Sequence, residues 1–109
     1  MNKTRVLLIN LNTREYTRKV IEDLLKQNTT FDLMLVDQAS EENGIRDLFE
    51  SVKRYWKGRG RLDIVYNNIN EPLNEVWNKF ANESPNEYLC FLNSDVRIPS
   101  NFIKDSESV

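Results

Sequence analysis

With 109 residues, 29% of them charged and 39% hydrophobic, the chain has room for one domain with a single modest core. A formal net charge of −2 gives no electrostatic footing for nucleic acid, and the absence of histidine removes the commonest general base and transition-metal ligand. Cys90 is the one cysteine, which excludes an intrachain disulfide and fits a reducing, cytoplasmic compartment; no run approaches the ~20 apolar residues that cross a bilayer.

Val6-Leu7-Leu8-Ile9 reads as a buried strand. It lacks the small-residue cleavage site of a signal peptide. Asn12 is placed to cap the next helix, with Glu15 in the capping-box position. Tyr16, Val20, Ile21, Leu24 and Leu25 form that helix's apolar stripe. Asn28-Thr29-Thr30 ends it, and Phe31 to Val36 is a second strand closed by Asp37. A second helical stripe runs through Ile45, Leu48, Phe49, Val52 and Trp56, with Gly58 as a C-cap. Leu62 to Tyr66 is the third strand, and Pro72 opens a third helix with the stripe Leu73, Val76, Trp77 and Phe80. Periodicity assigns both tryptophans to core packing. Ser84-Pro85-Asn86 breaks the third helix before Tyr88 to Leu92, an apolar run that reads as a strand buried on both faces. The tail Ser106-Glu107-Ser108-Val109 is expected to fray. The order βαβαβαβ predicts an α/β fold, a three-layer Rossmann-like sandwich with a mostly parallel sheet.

In such sheets ligands sit beyond the carboxyl ends of the strands. Two aspartates fall there, Asp37 and Asp95. Asp37, in Asp37-Gln38-Ala39-Ser40, is placed either to accept hydrogen bonds from a base or ribose or to serve as a turn or capping carboxylate. Asn93-Ser94-Asp95 offers oxygen ligands of the kind Mg²⁺ and Mn²⁺ share with substrate phosphates, although an Asx-turn has the same pattern. The first loop, Asn10-Leu11-Asn12-Thr13-Arg14, has no glycine, so it is neither a dinucleotide fingerprint nor a phosphate-cradling loop; Asn10 and Asn12 equally suit turn and cap positions. It also lacks the acidic cluster of a receiver-like phosphoacceptor. The basic run Lys53, Arg54, Lys57, Arg59 and Arg61 lies at the opposite rim, where interaction with a helix C-terminus explains most of it.

Taken together, these segments resemble the N-terminal, nucleotide-binding half of a family 2 glycosyltransferase, rhamnosyltransferase-like, with a partial GT-A fold. Ile9-Asn10-Leu11-Asn12-Thr13 is similar to the aliphatic-N-Y-N-T motif of the first strand, and Val36-Asp37-Gln38-Ala39-Ser40 to V-D-N-A-S. Asn70 to Asn78 is similar to N-x-G-F-x-x-A-x-N, and Phe91-Leu92-Asn93-Ser94-Asp95, followed by Pro99 and Phe102, to the F-L-N-x-D variant of the D-x-D segment. The resemblance implies that Asp37 contacts the nucleoside and that Asn10, Leu11 and Asn12 line the base pocket. It implies further nucleotide contacts from Asn70 and Asn93, with Asn93 facing the ribose. Asp95 would bind the Mg²⁺ or Mn²⁺ on the diphosphate. Pro72 stands where the family has glycine, and Phe80 where it has a small residue.

The resemblance thus implies metal-assisted transfer of a sugar from a nucleotide diphosphate sugar to a glycan or other acceptor, with residues 1–105 as the donor half-domain and 106–109 as tail. Inverting transfer needs a carboxylate base. No residue is assigned that role, so the chain alone is expected to be inactive. In the family more strands lie beyond the fourth; its bare edge here predicts a homo-oligomer. The alternative reading is a non-catalytic α/β domain serving assembly or regulation.

Overall fold

Side-chain alternation along four apolar strands gives one sheet two faces, and the helices divide unequally between them. The computed structural model describes residues 2–41 and 43–108. In chain order the elements are β1 (Thr4–Asn10), α1 (Arg14–Leu25), β2 (Asp32–Gln38), α2 (Ile45–Tyr55), β3 (Leu62–Asn67), α3 (Leu73–Glu83), β4 (Tyr88–Leu92) and α4 (Phe102–Glu107). The sheet is parallel throughout, in the order β3-β2-β1-β4. The α/β Rossmann-like sandwich expected from the sequence is therefore the fold.

Successive strand residues point to opposite faces. Val6, Leu8, Leu33 and Leu35 pack under Val20, Ile21 and Leu24 of α1, Phe49 and Val52 of α2, and Ile103 of α4. Their neighbours Leu7 and Val36 face Val76 and Phe80 of α3 alone. Burying each such side chain fully is worth about 1.5–3 kcal/mol, so the first face carries most of the stability. Trp56 belongs to it, 3% exposed and edge-on to Phe31 at 5.2 Å.

Four expectations are corrected. The strand Tyr88–Leu92 is an edge strand and is not buried on both faces: Tyr88 and Phe91 are 37% and 43% exposed, because β1 alone pairs with it and a single helix covers its α3 side. The predicted cap Asn12 is not the cap. Thr13 takes that position, and the Thr13 backbone carbonyl accepts from Thr17 N at 2.8 Å. The Thr13 hydroxyl donates instead to Asn10 Oδ1 at 3.1 Å. Tyr16, assigned to the core stripe, is 57% exposed. Lastly, Ser106 and Glu107, expected in a frayed tail, close α4: Ile103 is 1% exposed and Glu107 accepts from the Thr4 hydroxyl at 2.6 Å. Val109 lies outside the described residues.

The basic segment finds structural work. Arg59 donates to the carbonyls of Tyr55, at the end of α2, and of Leu25, at the end of α1, at 3.1 and 2.7 Å. Such contacts satisfy carbonyls that a helix terminus leaves unpaired.

Candidate functional site

The strand order supplies the first clue. From β1 the chain steps outward through β2 to β3, then returns to place β4 on the other side of β1. That reversal puts the switch point between β1 and β4, where the loops leaving the two strands diverge and open a crevice. A cavity of about 740 Å³ lies there, within the size range of small-molecule sites. Ile9, Leu11 and Thr13 come from β1 and its loop, Tyr16 from α1, Leu73 and Trp77 from α3, and Leu92, Asn93, Ser94 and Asp95 from the end of β4.

Of the residues singled out from sequence, Leu11, Asn93 and Asp95 line this cavity together. Asn10, Asn12, Asp37 and Asn70 are not in its lining. Asp37 sits on the same rim, since Asn10 and Asp37 are register partners at the ends of parallel neighbours. Its carboxylate is turned inward, however. Asp37 is 6% exposed; its Oδ1 accepts from Asn10 Nδ2 at 3.0 Å and from the Ser40 hydroxyl at 2.6 Å, and its Oδ2 from Ser40 N at 3.2 Å. Asn10 is fully buried, and its Oδ1 accepts from the hydroxyls of Thr17 and Thr13. Asn70 stands exposed in the loop between β3 and α3.

This network shapes the first two loops. Asn12 and Ala39 adopt positive φ, 54° and 55°. Asparagine tolerates that region; alanine does so at a cost of about 1–2 kcal/mol. Both bends are held by hydrogen bonds, Asn12 N to the Ser40 hydroxyl at 2.9 Å and Glu41 N to Asn12 Oδ1 at 2.9 Å. Loop one is thereby locked to loop two, and Leu11 is held outward at 40% exposure on the cavity wall.

The loop that carries Asp95 is pinned from behind. Arg97 forks onto Asp23 of α1, Nε to Oδ2 at 2.8 Å and Nη2 to Oδ1 at 2.9 Å, and Ile98 N adds a third bond at 3.0 Å. The Arg97 bonds hold the Asp23 carboxyl below its ordinary range against the opposing effect of burial, and the Ile98 amide reinforces them. Gln27 continues the clasp, donating to Pro99 O and accepting from Ile103 N.

The donor set at the cavity mouth is oxygen only, with one carboxylate, Asp95, and the side chains of Asn93 and Ser94 beside it. Among the described residues no group of three or more His, Cys, Asp or Glu side chains could hold a metal by itself. One carboxylate with amide and hydroxyl oxygens fits a hard divalent cation whose remaining ligands are phosphates and water. Cys90 is not a candidate nucleophile, because burial pushes its thiol pKa up.

Sequence reasoning missed Thr13, Tyr16, Leu73 and Trp77 as lining residues. The two aromatics and Leu73 were absorbed into apolar stripes; the available signal was that each stripe begins at the strand-carboxyl end of its helix.

A parallel sheet with its cleft at the strand-order reversal, and oxygen-bearing side chains at the end of the strand beyond that reversal, defines a Rossmann-like domain. The family model described as Glycosyl transferase family 2 matches residues 6–105, and the chain belongs to that family. Structural neighbours agree on the fold. Residues 1–349 of TarS from S. aureus superpose with a TM-score of 0.78 at 19% identity, covering 98% of this chain and 32% of that one. The same protein in complex with UDP gives 0.77 at 20% identity, over 98% and 31%, and in complex with UDP-GlcNAc 0.76 at 20% identity, over 98% and 30%. The chain thus spans about a third of these TarS chains. A comparison with curated proteins gives no match.

Proposed function

We propose that the chain is the donor-binding part of a glycosyltransferase that transfers a hexosyl or rhamnosyl group from a nucleotide diphosphate sugar to a glycan or other acceptor. The observation that carries this reading is the cavity at the β1–β4 switch point, which joins an apolar wall to the segment Asn93-Ser94-Asp95 in a family 2 chain. UDP and UDP-GlcNAc complexes of TarS, which shares the fold, support a nucleotide donor. In this reading Asp95 holds Mg²⁺ or Mn²⁺ against the diphosphate, Asn93 meets the ribose and Leu11 lies against the base. A bound cation would offset the diphosphate charge as it departs. Asn10, Asn12 and Asp37 act one step back, fixing the loop that presents Leu11. Asn70 is left as an outer contact.

Asp95 is the one carboxylate in the cavity lining. With it committed to the cation, the 109-residue chain binds donor without turning it over. A donor site of this kind, with Cys90 as the only cysteine, suits a reducing cytoplasm. The outer edge of β4, unpaired among the described residues, supports self-association through that edge. Light scattering after size exclusion at high concentration should then give more than a monomer's mass.

The binding test is thermal denaturation with UDP or deoxythymidine diphosphate and Mn²⁺. Nucleotide at a hundredfold excess over its dissociation constant adds about 2.7 kcal/mol of stability. Asp95→Ala should remove the metal-dependent part of that gain. If no nucleotide shifts the transition of the wild-type chain, the donor-site reading fails and the non-catalytic alternative stands.

A further inference from the structure

We propose that the corner formed by the end of α2 and the turn before β3 is a docking surface for an anionic lipid membrane. This inference stands apart from the donor-site reading. Residues 53–61 hold Lys53, Arg54, Lys57, Arg59 and Arg61 and no acid, in a chain whose formal net charge is −2. The end of α2 favours Lys53 and Arg54 in its last turn, and Arg59 serves the carbonyls of Tyr55 and Leu25. None of these roles neutralises the charge. Arg54 and Lys57 are exposed and pair with nothing among the described residues. Lys53 and Arg61 meet Glu50 and Asp63, but their side chains are 60% and 62% exposed, so those pairs are weak and water-screened. Arg59 ties the turn to the end of α1, where Lys26 adds another exposed cation.

The composition of the corner selects its partner. Single-stranded nucleic acid needs rings interleaved with the cations, on which its bases stack. Here Trp56 is 3% exposed and the ring on offer is that of Tyr55, 60% exposed. A lipid surface asks for clustered cations alone, which anionic head groups attract, and a tyrosine suits the head-group layer. The acids near the same rim are segregated from the corner. Glu83 ends α3, on the opposite face of the sheet from α2, and Glu87 precedes β4, at the far end of the strand order. Docking at this corner also suits the cavity. β3 begins at Leu62, directly after the cluster, and its six residues span about 20 Å. The cavity lies at the carboxyl ends of the strands and so faces water.

The test is co-sedimentation of the 109-residue chain with vesicles of phosphatidylglycerol and phosphatidylcholine in equal parts, and with vesicles of phosphatidylcholine alone. The chain should sediment with the first and not with the second. It should be released as salt rises from about 0.1 to about 1 M, where the screening length falls from ~10 to ~3 Å. Each cation near an anionic leaflet strengthens binding about fivefold, so Arg54→Gln with Lys57→Gln should weaken it roughly 30-fold. Lys79→Gln with Lys104→Gln makes the same change of charge on α3 and α4 and should leave binding unchanged. All four positions are exposed, so both variants should melt with the wild type. No sedimentation with the anionic vesicles overturns the proposal. Equal weakening by the two pairs does so too, since net charge and not the corner would then be responsible. Tighter binding to a single-stranded oligonucleotide than to the vesicles, at equal phosphate concentration, overturns it in favour of a nucleic-acid surface.

Discussion

The fork between Arg97 and Asp23 joins stability to function, and Arg97→Ala tests both. Asp23 is 7% exposed and accepts from Arg97 through both oxygens and from Ile98 N. The Arg97 side chain is 59% exposed, so solvent screens its charge. Losing both guanidinium bonds leaves the buried Asp23 carboxylate with the Ile98 amide alone; a buried acceptor left short of partners costs about 1–3 kcal/mol, and the lower end applies because solvent reaches this site. For a domain of this size that lowers Tm by roughly 4–15 °C. The sign of the pH dependence follows from the lowered Asp23 pKa. A depressed carboxyl stabilises the fold above its unfolded pKa of about 3.9 and loses that contribution as pH falls through the lower folded value. The gap between wild type and variant should therefore be full near neutral pH and narrow below pH ~4. Because Arg97 follows Asp95 by two positions, the variant should also bind nucleotide with Mn²⁺ more weakly. Equal melting temperatures at neutral pH, or a gap that persists unchanged into strong acid, would refute the pairing as the clamp on this loop.

Two further outcomes follow from local geometry. Ala39 sits at φ 55°, so Ala39→Gly should stabilise the chain by up to about 1 kcal/mol, the relief of left-handed strain less the entropy of a glycine; urea denaturation showing a loss would place the residue in another conformation. Ile103 is 1% exposed beneath α4, so Ile103→Ala should cost about 2–5 kcal/mol, whereas a frayed C-terminal segment would leave the midpoint unmoved.

The order of elements was legible because both periods are strong here. Strands of five to seven residues alternate with helices bearing apolar stripes, and β1, β2 and β3 contain the runs Val6–Ile9, Leu33–Val36 and Leu62–Tyr66 read as strands from the sequence. Periodicity says which face of an element is apolar, but not what lies opposite. Tyr88–Leu92 has the composition of a central strand and stands at an edge, because burial depends on pairing that the chain does not encode locally. The Asp37 motif had the same limit. A carboxylate after a strand looks alike in sequence whether it meets a ligand or closes a turn with Ser40 and Asn10. α4 escaped notice for want of length: one buried side chain, Ile103, anchors its six residues.

The departures at Pro72 and Phe80 raise the question of whether α3 can form and pack, and the geometry gives a reason for both. Pro72 takes the N-cap at φ −53°, and its carbonyl accepts from Glu75 N and Val76 N at 3.0 and 3.3 Å, so the missing amide costs the helix nothing. Phe80 is 1% exposed, with the buried Arg5 guanidinium 5.2 Å from its ring centroid. Arg5 is itself tied to Asp63 and Ser84 at 2.6 and 2.7 Å. In a βαβ unit the helix runs back along the sheet, so α3 begins at the strands' carboxyl rim and descends from it. One stripe at helical spacing therefore serves two ends. Val76 and Phe80 reach the sheet and become core, while Leu73 and Trp77 stand at the level where β1 and β4 have ended, and meet a cavity. A small residue at position 80 would leave the second face of the sheet thin. The bulk at Phe80 fills it and supports Phe91, on whose ring Trp77 stacks at the cavity.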